Sequence, residues 1–136
     1  MTSYISHLAV DCENAYELSE WWKPVLGYVD VDGDPNEPGH PECVIRDPDD
    51  RRVSLIFIEV PEGKTVKNRL HLDIRPKDGR TRDEEVARVV SLGAAVYDDQ
   101  RRPDGGGWMV LTDPEGNEFC ILRSNPEVHA ADDTAG

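Results

Sequence analysis

Apolar positions along this chain switch repeatedly between a spacing of two and a spacing of three to four. Residues 4–11, "YISHLAVD", alternate and read as a strand. In "ENAYELSEWWKPVLGY", Ala15, Leu18, Trp22 and Val25 recur at helical spacing and Gly27 is a stop. Pro24 lacks the N–H that the helical ladder needs, so it is expected to distort or end the last turn. "YVDVD" alternates again, "DPNEPGHPE" is a loop by its Pro, Gly and Asn content, and "CVIRD" and "RRVSLIFIEV" read as strands around the turn "DPDD". After the separator "PEGKTVKN" the same order returns. "RLHLDIR" is a strand, and "TRDEEVARVVSLGA" is a helix with Thr81 as N-cap and Glu84 three residues on. "AAVYDD" is a strand, "QRRPDGGG" a loop, and "WMVLTD" and "NEFCILR" form a hairpin around "DPEG".

The order of elements is not the only thing repeated. "SHLAVD" at 6–11 is echoed by "RLHLDI" at 69–74, which places His7 and His71 at one point of two similar strands, 64 positions apart. The turn "RDPDDR" at 46–51 matches "TDPEGN" at 112–117 at an offset of 66. Two landmarks with nearly one offset indicate a duplication. The expected fold is α+β: tandem βαβββ modules at about 4–60 and 69–123, in a single domain over 1–125. Their curved mixed sheets are expected to enclose a cup with the helices outside, so that His7 and His71 face each other across it. Alternation puts His7, Ala9 and Asp11 on one strand face, and His71 and Asp73 on the corresponding face of the repeat.

Composition narrows the partners. With 136 residues, 32% charged and 38% hydrophobic, the chain suits one globular domain, and its longest apolar runs are strand-sized, too short to span a membrane. Fifteen Lys and Arg against 28 Asp and Glu give a net charge of -13, which repels phosphate backbones and anionic lipid, so no nucleic-acid or membrane partner is expected. No secretory signal is visible, and Cys12, Cys43 and Cys120 read as reduced thiols of a cytoplasmic protein. The tail 126–136, small and acidic, is expected to be disordered.

"HLAVD", the helix ending in "VLGY", "KNRLHLDI" and "GWMVLTDPEGNEFCIL" together resemble the vicinal oxygen chelate superfamily, and within it the glyoxalase-like domains. The resemblance covers residues 4–123. It implies a small-molecule site in the cup, a homodimer, and, in metal-dependent members, ligands on the first and last strands of each half. Those positions fall on His7, His71 and Cys120, where relatives usually carry Glu in place of the cysteine. In the fourth position, "VSLIFIEV" offers either Ser54, Ile56 and Ile58 or Val53, Leu55, Phe57 and Glu59 to the cup. The family-like ending favours Ile58 as the facing residue, with Glu59 turned away.

Two readings follow from that resemblance. In one, His7, His71 and Cys120 hold a divalent metal (Zn, Fe, Mn or Ni) in an enzyme of lyase, isomerase or dioxygenase type. In the other there is no metal, and the protein binds or sequesters an apolar drug-like compound. An iron dioxygenase needs a carboxylate in place of Cys120, and a glyoxalase I needs a carboxylate base, so both named activities are disfavoured. A thiol beside two imidazoles is expected to have a lowered pKa and to react readily. Ile56, Ile58, Trp108 and Arg102 are the further candidates for the cavity wall, Trp108 as a flap that stacks on a flat ligand and Arg102 as a holder of anions.

Overall fold

The computed structural model describes residues 1–135, with side chains through Ala130. The chain divides into two compact units, Met1–Thr65 and the part from Val66 onward. Unit 1 contains β1 (His7–Cys12), α1 (Ala15–Leu26), β2 (Val29–Asp30), β3 (Glu42–Arg46) and β4 (Ser54–Glu59). Unit 2 contains β5 (Asp73–Ile74), α2 (Arg82–Ser91), β6 (Ala95–Arg101), β7 (Gly107–Thr112), β8 (Glu118–Ile121) and α3 (Asn125–Ala135). Each unit has one four-stranded mixed sheet, ordered β1-β4-β3-β2 and β5-β8-β7-β6. The first strand of each unit runs parallel to its last, and the other pairings are antiparallel. This is the duplicated plan that the sequence repeats indicate.

In unit 1 the alternation of β4 turns Leu55 and Phe57 inward with Cys43 and Ile45 of β3, all buried beneath α1. From α1, Ala15, Leu18, Trp22 and Val25 complete this core, the helical set read from the spacing. Asn14 caps α1 by accepting the Glu17 amide at 3.0 Å, and Gly27 ends it in the left-handed region at φ 69°. Pro24 lies inside the helix and does not end it. The opposite sheet face carries His7, Ala9, Ser54, Ile56 and Ile58, exposed or half-buried. Glu59 has the other parity, and its carboxylate accepts the Ala15 amide at 3.1 Å, so it serves the start of α1.

In unit 2 Met109, Leu111, Phe119 and Ile121 pack under Val86 and Val89 of α2. Thr81 and Glu84 form the capping box read from the sequence. Two expectations are corrected here. The strand expected over "RLHLDIR" shrinks to Asp73–Ile74, since β8 offers ladder partners only from Leu72 onward and Leu70 is left 90% exposed. The tail expected to be disordered forms α3, because Ser124 and Glu127 exchange capping hydrogen bonds: the Ser124 amide donates to the Glu127 carboxylate at 2.6 Å and the Glu127 amide to Ser124 Oγ at 3.2 Å. Residue 136 lies outside the described residues.

Candidate functional site

The open face of the unit 2 sheet forms a cavity of about 460 Å³. Its floor comes from alternate residues of adjacent strands. Val110 lies opposite Cys120, and Cys120 in turn lies opposite Asp73. His71 stands two residues before Asp73, just ahead of β5, and reaches the same wall. Trp108 and Gln100 face each other at one side, with Tyr97 and Asp98 beyond them.

His71, Asp73 and Cys120 converge: one possible ligand atom from each lies within 4.8 Å of the others. His71 Nδ1 is 3.1 Å from Asp73 Oδ1. Burial pushes the Cys120 thiol up to about 11, and the charge of Asp73 and its hydrogen bond to the thiol add to the rise. Cys120 is therefore a protonated thiol at neutral pH, against the expectation of a lowered pKa: the neighbour that acts on it is a carboxylate and not an imidazolium.

The other residues singled out from the sequence lie as follows. His7 is the first residue of β1, in the other unit, with Nδ1 3.0 Å from Ser6 Oγ. Ile56 and Ile58 stand on the open face of the unit 1 sheet. In ladder register the counterpart of Cys120 is Ile56 and not Ile58: Cys120 pairs with Asp73 and Val110, Ile56 with Ala9 and Val44. Trp108 lines the cavity; Arg102 does not, and its guanidinium lies 3.7 Å from Asp104. Arg101 turns to the helix side, where it pairs with Asp99 at 2.8 Å and Asp83 at 3.2 Å.

Two contributors went unread in the sequence. Asp73 was placed on the histidine face but not counted as a donor, although His-x-Asp on a strand presents both side chains to one side. Arg82, the first residue of α2, is buried, and its Nη1 donates to the carbonyls of Gly105, Gly106 and Gly107 at 3.3, 2.8 and 3.1 Å. This guanidinium fixes the glycine run that leads into Trp108. A run of three glycines has no side chain with which to hold itself, and that was the available signal. Gly107 sits at φ 86°, and a Cβ there would run into the Gln100 carbonyl oxygen.

The family model for the glyoxalase-like domain matches residues 7–122. The chain belongs to that family, in the vicinal oxygen chelate superfamily. Among solved structures it is similar to the fosfomycin resistance protein FosX of Listeria monocytogenes, seen in complex with Mn(II) and a dihydroxypropylphosphonic acid (14% identity, 93% of this chain and 94% of that one covered, TM-score 0.67). FosX of Mesorhizobium loti is similar at 17% identity, with 96% and 99% covered and a TM-score of 0.64. A possible glyoxalase from Bacillus cereus is also similar, at 17% identity, with 89% and 99% covered and a TM-score of 0.62. At these identities the likeness concerns the fold. No curated protein matches the sequence. Among the described residues, no helix is long and apolar enough to cross a membrane.

Proposed function

We propose that this glyoxalase-like protein binds a small organic ligand on the open sheet face of its second unit. The observation that carries the reading is the cavity itself, where an apolar floor of Val110 and Leu122 meets the aromatic side chains of Tyr97 and Trp108 and the His71, Asp73 and Cys120 cluster. Ligand sites combine an apolar body with a few convergent polar groups in this way. Chemical-shift mapping with a set of aromatic fragments tests it. Perturbations should gather at Trp108, Val110, Cys120 and Leu122, and Val110→Trp, which fills the floor, should abolish them. Fragments that perturb only other surfaces would overturn the reading.

A second reading is supported by the donor cluster. One imidazole, one carboxylate and one thiol suit Zn²⁺ better than Mn²⁺, which prefers harder oxygen ligands. His71, Asp73 and Cys120 would hold the ion. The ion would supply Lewis acidity toward a bound oxygen. Calorimetric titration of chelator-treated protein with Zn²⁺ should show binding that His71→Ala weakens at least tenfold; equal heats from both proteins would sink this reading. A homodimer is supported by β6, an edge strand exposed along its whole length. Light scattering at micromolar concentration should then give twice 15.2 kDa.

A further inference from the structure

We infer that the unit 2 cavity selects organic cations that carry a flat apolar body, an ammonium group one methylene away from an aromatic ring being the simplest case. The inference rests on the ligand-binding reading above and names the class of ligand.

Three observations carry it. The first is the balance of charge around the wall. Asp73, Asp98 and Glu118 line the cavity, against Lys67 and the titratable His71. Glu118 is buried, and its Oε2 is fixed by the Asn68 amide at 3.0 Å, so one carboxylate is set into the wall and not left to wander in solvent. The nearby arginines do not offset this balance: Arg101 is paired on the helix side and Arg102 lies away from the wall.

The second observation is the aromatic surface. Trp108 and Tyr97 remain 39% and 56% exposed on the cavity side of adjacent strands. Large rings held open beside carboxylates offer π-faces to a cation, an attraction that grows as the cation is desolvated.

The third is the β-bulge. Pairing between β6 and β7 slips at Val96/Asp98, so Tyr97 is the extra residue. In a regular strand two successive side chains face opposite ways; here Tyr97 and Asp98 both line the cavity. The irregularity delivers a ring and a carboxylate together to one place. A phosphonate or carboxylate ligand is repelled by the carboxylate of that pair, whereas an arylmethylammonium uses both members.

Matched probes test the inference. 1-Naphthylmethylammonium and 1-naphthylacetate share a ring and differ in charge. Each is titrated calorimetrically into the whole protein and into its Asp98→Asn and Trp108→Leu variants, at low salt and at 0.5 M salt. High salt screens the diffuse attraction that any chain of net charge -13 exerts on a cation. The ammonium should bind about tenfold tighter than the carboxylate at both salts. Asp98→Asn should reduce that preference severalfold, and Trp108→Leu should weaken both probes. Asp98 is exposed on an edge strand, so its variant keeps the fold.

A preference that disappears at high salt, persists unchanged in Asp98→Asn, or favours the carboxylate would overturn the inference. So would binding of neither probe. In each case fragment mapping decides separately whether the cavity binds small molecules at all: mapped fragments with no cation preference leave the cavity reading standing without this one.

Discussion

Set side by side, the two units share a scaffold and differ on their open sheet faces. Both use an aspartate to tie the turn between their last two strands. Asp47 accepts the amides of Asp49 and Arg51 at 3.1 and 3.3 Å, and Asp113 those of Glu115 and Asn117 at 2.9 and 3.0 Å. Both bury two alternate residues of the last strand under a helix, Leu55 and Phe57 in unit 1 and Phe119 and Ile121 in unit 2. On the other face the registers match while the chemistry diverges. Ala9 beside Ile56 in unit 1 corresponds to Asp73 beside Cys120 in unit 2. A duplicated sheet thus keeps the buried face, where packing constrains every side chain, and varies the open face, where a residue can change without disturbing the core.

The comparison can be broken most severely at Gly107, which has no sterically blocked equivalent in the β2–β3 connection: Gly39 is also at positive φ but has open space where a Cβ would be. Gly107→Ala should destabilise the protein by about 3 kcal/mol or more, whereas Gly39→Ala should cost about 1 kcal/mol, both read from urea unfolding. Next come the paired turns. Asp113 also accepts from the Asn117 side-chain amide at 3.0 Å. Asp113→Ala should therefore cost about 2 kcal/mol and Asp47→Ala about 1 kcal/mol. Equal losses would show that the two turns are equivalent after all.

A third prediction concerns the helix that unit 2 alone possesses. Burial by itself would raise the pKa of Glu127, but the amides of Ser124 and Arg82 outweigh it and hold the carboxyl below its usual value. A depressed folded-state pKa stabilises above the unfolded pKa, and that stabilisation is lost as pH falls through the folded one. Glu127→Gln should cost about 1 kcal/mol at pH 7, and the gap to the unsubstituted protein should close as the pH is lowered through the acid range. A gap that persists at low pH would place the contribution elsewhere. The smallest effect is expected at Asp50, which stands at φ 54° where the repeat has Gly116 at φ 86°. Asp50→Gly should stabilise unit 1 by about 0.5 kcal/mol, visible as a higher thermal midpoint.

Much of this was legible in the sequence, and what was missed has specific causes. α1 and α2 declared themselves through period and caps, and the strand faces through alternation, since both patterns are local. α3 was misread because "AADDT" has the composition of a solvated tail; the signal lay upstream, in the Ser-x-x-Glu of "SNPE". Ile58 was aligned with Cys120 from the family-like ending of the strand, while the ladder selects Ile56. The loop after Asp47 is two residues longer than the loop after Asp113, so the repeat offset of 66 at the turns returns at Ile56 and Cys120 to the 64 that it has at the histidines. The bulge at Tyr97 had no local mark, because "VYDDQRR" contains no glycine. Convergence of Asp73 with Cys120 depends on a pairing between strands distant in sequence, which alternation alone does not specify.

The grip of Arg82 on three successive glycine carbonyls also has a consequence for the order in which the molecule assembles. A glycine-rich connection gains little from its own sequence, and here its conformation is fixed by a side chain 24 residues upstream of Gly106. Closing that interval carries an entropic cost before any of the three hydrogen bonds forms. The β6–β7 hairpin is therefore expected to complete late, after the first turn of α2 is in place, with low φ-values at Trp108 and its neighbours. Slow events at this end of the sheet would appear in the fluorescence of Trp108.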